Sequence, residues 1–405
     1  MPNPAKSLGP GILVTAAFIG PGTVTTASIA GASYGFALLW ALLFSILATM
    51  VLQEMATRLG LVTRQGLAEA LRDVFSRSWL GGVATALVVA AIGFGNAAYE
   101  AGNIIGAALG LESILNWPIS VSSLLVGTLS GALLASGTYA AIEKLLIALV
   151  LIMSIVFLAT LVQVGPDPGE MLRGALLPGL PAGSMLTVVA LVGTTVVPYN
   201  LFLHASAVQE RWPAQLETSQ ALGAARADIG LSVGLGGLIT IAVMSTAAAA
   251  FFNGDHAFSA ASMARQLEPL LGPAARYFFA AGLFAAGLSS AVTAPLAAAY
   301  AVCGVLGWST DLKATRFRLT WLIVLLCGTG FAAAGTKPLT AILFAQAANG
   351  FLLPLCAIFL LLVMNRRDRL QEHVNGVASN VAGVAVVLIT LALGGLKILQ
   401  VLRLV

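Results

Sequence analysis

Phe18-Ile19-Gly20-Pro21-Gly22-Thr23 and Val196-Val197-Pro198-Tyr199-Asn200 decide how this chain is read. Each lies at mid-depth in a helix-length apolar segment and interrupts it with glycine or proline. An unwound backbone inside lipid leaves amide and carbonyl groups without intrahelical partners, at a cost of several kcal/mol each. Such breaks persist where the freed groups line a cavity or bind something. Two of them, at corresponding places in two halves of a chain, point to a solute site at the bilayer midplane.

Composition sets the class. Hydrophobic residues fill 59% of the 405 positions and charged residues only 9%, with a mean hydropathy of +0.97. Soluble domains carry roughly 25% charge, so the chain reads as an all-α, multi-spanning membrane protein. The net charge of +4 follows from loop bias and implies no nucleic-acid partner. Cys303, Cys327 and Cys356 fall in or beside apolar stretches and read as buried free thiols, without metal spacing. The first apolar segment runs straight into the Gly20-Pro21 break, which is not the pattern of a cleaved signal. No HExxH or Gly-x-Ser-x-Gly setting is present, so an enzyme is not expected, and no cofactor motif appears.

Windows of about 20 apolar residues give eleven spans: 10–32, 36–59, 80–110, 118–136, 139–164, 184–208, 225–252, 272–306, 317–335, 338–364 and 375–402. With the N-terminus inside, 14 of the 20 Lys+Arg fall in cytoplasmic segments, including Arg58, Arg64, Arg72, Lys144, Arg226 and the Arg366-Arg367-Asp368-Arg369 run. That bias predicts a cytoplasmic N-terminus and, with an odd helix count, an external C-terminus. The first ten spans divide into two fives, and an odd repeat unit inserts its second copy upside down. The breaks fall in the first span of each five. One transmembrane domain over 1–405 is expected, with repeats at about 10–164 and 184–364 and an accessory helix at 375–402.

Several motifs then resemble the Nramp (natural resistance-associated macrophage protein) metal-transporter family. They are Gly31-Ala32-Ser33-Tyr34-Gly35-Phe36-Ala37-Leu38-Leu39-Trp40, Glu143-Lys144-Leu145, Pro198-Tyr199-Asn200-Leu201-Phe202-Leu203-His204, Gly287-Leu288-Ser289-Ser290, and Ala345-Gln346 with Pro354. The resemblance covers essentially the whole chain. It implies a LeuT-type fold of about eleven helices, with spans 1 and 6 broken, working by alternating access in a plasma membrane, expected to be a bacterial inner membrane. A monomer is expected.

The departures from that pattern bear on the solute. Family members carry Asp-Pro-Gly-Asn in span 1 and Met-Pro-His in span 6, and the Asp, Asn and Met side chains hold the metal. Here the matching residues are Gly20-Pro21-Gly22-Thr23 and Val197-Pro198-Tyr199. The family's acidic pair in span 3 aligns with Glu100 and Asn103, so one acid remains. Gly20 and Val197 offer only carbonyls, while Thr23, Tyr199 and Gln346 are neutral oxygen donors. Such a set does not by itself balance a dication. The helix end at Gly22-Thr23 keeps bare N–H groups and a positive dipole. The expectation is therefore a small anionic or polar solute, such as bicarbonate or a small carboxylate, bound by Gly20, Pro21, Gly22, Thr23, Thr194, Val197, Tyr199, Asn200 and Gln346. The alternative is a divalent metal ion (Mn, Fe or Mg) held largely hydrated by carbonyls, Thr23, Tyr199 and Gln346. Glu100, an acid at mid-span, and His204, about 1.5 turns past the break, are the expected proton-coupling groups. Sodium, held by carbonyls near Gly20 and Thr194, is the other candidate coupling ion. Structural alternatives stand beside these roles: Glu100 bonded to Tyr99 or Asn96, His204 as a satisfied core residue, Gln346 and Asn349 as interhelical glue. Glu143-Lys144 reads as an internal pair, and Glu54 and Asp228 as gating or solvated groups near the cytoplasmic interface.

Overall fold

A computed structural model describes residues 19–75, 80–137, 140–212, 217–252 and 258–402. The first half of span 1 (10–18) and the basic residues Lys6, Arg77 and Arg403 lie outside the described residues, as does the side chain of Glu143. Fourteen main helices follow in order. They are α1 (Pro21–Tyr34), α2 (Leu39–Thr63), α3 (Leu67–Phe75), α4 (Leu80–Leu115), α5 (Ile119–Ser136), α6 (Ala140–Val164) and α7 (Pro168–Leu176), then α8 (Met185–Thr195), α9 (Pro198–Arg211), α10 (Thr218–Ala247), α11 (Ala275–Leu306), α12 (Thr315–Ala333), α13 (Pro338–Met364) and α14 (Val377–Val401). Apart from span 1 and the broken span 6, each expected span is matched by one of these helices, most within a few residues. Nine segments among the described residues are long and apolar enough to cross a membrane, with α8 and α9 together forming one of them.

Helices dominate because hydrocarbon offers backbone groups no water, so every N–H and C=O must be satisfied within the segment. They end where the sequence supplies a left-handed residue: Gly35 (φ 58°), Gly137 (φ 61°) and Gly307 (φ 70°) sit just past α1, α5 and α11. Gly35 then donates its N–H to the Gly31 carbonyl at 2.9 Å and closes the last turn of α1.

The packing carries the inverted repeat. α4 lies against α11, which are the third helix of each five. The contact of α4 with α13 is matched by that of α11 with α6, and the contact of α1 with α10 by that of α8 and α9 with α2. Each pair maps onto the other when the fives are exchanged, which is the LeuT-type arrangement.

Three expectations from sequence need correction. The helix expected at 225–252 starts at Thr218, because the polar turn Thr218–Ala225 continues the helix beyond the apolar window. The connections at 64–79 and 165–184 hold helices of their own, α3 and α7, too short and too charged to register as apolar windows. Cys303 and Cys356 are buried, but Cys327 is exposed on the outer side of α12.

At the end of the bundle carrying α3, charged side chains tie segments together. Arg58 donates to Glu54 at 3.1 Å, to Asn375 Oδ1 at 2.7 Å and to the carbonyls of His373 and Val374. Arg226 on α10 takes the other Glu54 oxygen at 2.8 Å. Arg369 reaches Asp73 Oδ2 at 3.0 Å and Gln65 at 3.1 Å, so the basic run read as a topology signal also clamps α3. Partial burial works against the Asp73 carboxylate, yet hydrogen bonds from Arg369 and Gln65 prevail and hold it below its ordinary range. Glu69 on the same helix goes the other way, raised by burial against the opposing pull of backbone N–H groups and Arg72.

Candidate functional site

The second break is explicit. α8 ends at Thr195, Val196 and Val197 are non-helical (Val197 φ −75°, ψ 121°), and Pro198 restarts the chain as α9. Proline suits that first position because it has no N–H to leave orphaned. At the first break, Gly20 is extended (φ −81°, ψ 172°) and Pro21 begins α1. Neither α1 nor α9 has a side-chain cap or an acid in its first turn, and in α9 the Asn200 N–H turns back to the Val197 carbonyl at 3.0 Å.

A hydroxyl contact joins the two breaks: Thr23 Oγ1 and Thr194 Oγ1 lie 3.0 Å apart, linking the start of α1 to the last turn of α8. α13 closes the third side. A Cβ on Gly22 would collide with the Gln346 side-chain amide, and one on Gly193 would run into the Gln346 carbonyl and the Gly350 N–H. These glycines are why α1 and α8 can lie against α13 at all. α4 supplies the fourth wall. Gly106 leaves just enough room for Pro21, and a Cβ on Gly102 would stand 3.7 Å from Gln346 Nε2. Tyr99, on that same face of α4, holds its ring 5.5 Å from the ring of Tyr199.

Thus Gly20, Pro21, Gly22, Thr23, Thr194, Val197, Tyr199 and Gln346 do converge where the sequence placed them. Asn200 and His204 follow on α9 and are buried. Both polar atoms of Asn200, both ring nitrogens of His204 and both amide atoms of Gln346 find no hydrogen-bond partner among the described residues. Native proteins pair nearly all buried polar atoms. These unpaired atoms lie beside the Val196-Val197 break and along α9 and α13. Among the described residues, nothing satisfies the His204 ring nitrogens or the Gln346 amide.

Glu100 does not face this junction. It is fully buried, but its side chain packs against Gly328 of α12, turned away from the Tyr99–Gly102–Gly106 face. Asn103 donates to its Oε2 at 3.4 Å, while Oε1 has no partner among the described residues. Asn96 bonds the Ala294 carbonyl instead, so the expected structural partners of Glu100 do not hold it. Sequence spacing gave its depth correctly and could not give its facing. Tyr99, mentioned from sequence only as a partner of Glu100, proves to pack its ring against that of Tyr199; the one-residue offset from Glu100 is the signal that could have found it.

Charge at this depth is sparse. The buried charged side chains among the described residues are Arg58 and Glu100, and Arg58 spends both terminal nitrogens on partners at the α3 end of the bundle. Among the described residues, then, no buried cation stands near the breaks to balance an anionic solute, and the one buried acid carries the opposite sign from what an anion needs. The anion expectation rested on the missing metal ligands, the neutral donor set and the bare helix end. A fractional dipole charge is a weak counter-ion beside a carboxylate on the neighbouring helix. Among the described residues no three His, Cys, Asp or Glu side chains gather as a metal cluster.

A helix broken at Val196-Val197, the start of α1 at Gly20-Pro21 set against it, and an inverted repeat around them define a secondary transporter of the LeuT-type fold. Residues 11–400 match the family model "Natural resistance-associated macrophage protein-like", and the chain belongs to that family. A divalent metal cation transporter, MntH, of Klebsiella pneumoniae is 28% identical over 398 residues, covering 96% of this chain and 92% of that protein. Among solved structures, the manganese transporter of Eremococcus coleocola superposes with a TM-score of 0.74 at 22% identity, covering 97% of this chain and 86% of that one. MhsT, solved with L-phenylalanine, gives 0.62 at 17% identity over 96% of this chain and 97% of its own.

Proposed function

We propose that this transporter moves a divalent metal ion, with protons as the coupling ion, and holds the metal as a partly hydrated species. The observation that carries this reading is the charge balance: a polar junction of unpaired oxygens and amides has one carboxylate, Glu100, on an adjoining helix, and no buried cation beside it. The metal-transporting relatives over nearly the full chain support the same sign of charge. Donors for the ion are the Gly20 and Thr194 carbonyls, the hydroxyls of Thr23 and Tyr199, and the Gln346 and Asn200 amides. All are hard and neutral. Such a set leaves much of the hydration shell in place and suits Mn²⁺ or Mg²⁺ better than softer ions, which favour thiolate or thioether. His204 and Glu100 are the groups proposed to carry the proton.

The basic residues favour a cytoplasmic N-terminus and an external C-terminus in a bacterial inner membrane, with one chain forming the whole pathway. The test is uptake into proteoliposomes with Mn²⁺, Mg²⁺ and Cd²⁺ in turn, under an imposed pH gradient and then a sodium gradient. Saturable Mn²⁺ or Mg²⁺ uptake driven by inward protons, with Cd²⁺ a poor competitor, is the expected result. Uptake of a small carboxylate without any metal flux would overturn the reading.

A further inference from the structure

A groove of about 990 Å³ lies on the lipid-facing side of the bundle, between α4, α12 and α13. It is separate from the broken helices, although Ala101 and Ala345 in its floor adjoin Glu100 and Gln346 in sequence. The floor is built from small residues and the walls from Phe94, Phe331 and Phe344, which are 80%, 71% and 57% exposed. A wholly apolar surface would need no explanation in a bilayer. This one is polarised along its length, because one end carries Thr336, Lys337 and Thr340.

Helical rise gives the dimensions. From Phe94 to Ile105 on α4 the groove runs about 16 Å, or half the roughly 30 Å hydrocarbon core. Lys337 stands just before the first turn of α13, with Thr340 one turn further in and Phe344 another turn deeper. The polar end is therefore at a membrane interface, with Phe331 beside it near the end of α12 and with Phe344 and Phe94 deeper along α13 and α4. Lys337 forms no ion pair among the described residues, and the groove lining includes no acid. A free ammonium at the mouth of an apolar, single-leaflet-deep groove matches one occupant in both charge and shape.

We propose that this groove is a binding site for an anionic phospholipid, whose phosphate meets Lys337, Thr336 and Thr340 and whose acyl chain lies against Ala97, Ala98 and Ala101 between the three phenylalanines. The chain would back the stretch of α4 and α13 that carries Glu100 and Gln346, so its presence would steady the helices that frame the transport junction.

The test uses purified full-length protein and native mass spectrometry, comparing phosphatidylglycerol with phosphatidylcholine of identical chains. The wild type should retain phosphatidylglycerol with about a fivefold preference, the increment one lysine near an anionic surface supplies. Lys337→Gln should remove the preference and keep residual binding of both lipids. Ala98→Phe, which fills the exposed floor, should cut retention of both. Glycerol 1-phosphate alone should give no protection in a thermal melt. Equal retention of the two lipids by the wild type, a preference surviving Lys337→Gln, unaltered retention by Ala98→Phe, or full protection by the free headgroup would each overturn the proposal. Melting curves of both variants in detergent without lipid establish that they are folded.

Discussion

Two glycines packed against the same residue of α13 should respond differently to the same substitution. Gly22→Ala and Gly193→Ala each add a methyl group directed at Gln346, but at different parts of it. At Gly22 the obstacle is the end of the side chain, whose amide can swing away. At Gly193 it is the main chain, the Gln346 carbonyl and the Gly350 N–H, which α13 holds in place. Overpacking a rigid contact costs about 3 kcal/mol, and the better helix propensity of alanine returns at most about 1 kcal/mol. Gly193→Ala should therefore lose about 2 kcal/mol of stability. Gly22→Ala should lose well under about 1 kcal/mol of stability, but it expels the amide from the junction. Losing one ligand group worth about 1–1.5 kcal/mol weakens metal binding roughly five- to tenfold.

The assay pairs a thermal melt in detergent with isothermal titration of Mn²⁺. The control is Gln346→Ala, alone and combined with Gly22→Ala. If the amide is what Gly22→Ala displaces, the double variant binds no worse than either single one, since both remove the same group. Additive losses in that cycle would refute the reasoning, as would a Gly22→Ala protein that binds normally or a Gly193→Ala protein as stable as wild type.

Other perturbations test the charge arrangement. Glu100→Gln should abolish the pH dependence of uptake while leaving Mn²⁺ binding measurable by titration; unchanged proton-driven uptake would remove Glu100 from the coupling path. Gly20→Asp places a carboxylate beside the uncapped start of α1 and should tighten Mn²⁺ binding on the order of tenfold, a charged ligand contact being worth about 1.5–3 kcal/mol; weaker binding would argue that the ion does not approach Gly20. Because the Asp73 carboxyl lies below its ordinary value of 3.8 in the folded state, its contribution is present at neutral pH and is lost as pH falls through that lowered value. Asp73→Asn should flatten the acid limb of a melting-versus-pH profile by at most about 1 kcal/mol, the scale of a partly exposed pair, and an unchanged acid limb would exclude the pair from stability.

Much of this fold is legible from residues because lipid enforces simple rules. A span must be apolar for about 20 residues, so α13 was expected at 338–364 and is found at Pro338–Met364. The breaks were legible for the same reason: Gly-Pro-Gly and Val-Pro inside apolar windows have no reason to exist unless the backbone opens there. α3 and α7 were not legible, since nine-residue amphipathic helices carry no window-length signal. Nor was the seat of Gln346 against Gly22, because which glycine serves a close approach depends on a helix more than 300 positions away. Facing was the harder loss. Glu100 and Tyr99 are neighbours in sequence at equal depth, and only rotation about α4 decides that the phenol meets Tyr199 while the acid meets Gly328.

That rotation shapes the chemistry. A carboxylate coordinating the ion directly would have to be deprotonated whenever metal is bound, and so could not also deliver a proton through the same site at the same moment. Packed against Gly328 on the α12 side of α4 and bonded by Asn103, Glu100 would be able to change its charge without touching the proposed ion. Its charge still matters to a cation on the neighbouring helix, because a low-dielectric interior screens little. In the proposed cycle, metal arrival would favour the ionised acid, two sites coupled through field alone and reciprocally, and the proton that Glu100 gives up would pass to His204 so that proton and metal move inward together. Neutral donors at the breaks would make this arrangement workable, because they would hold the proposed ion loosely enough that one charge on an adjacent helix decides whether it stays.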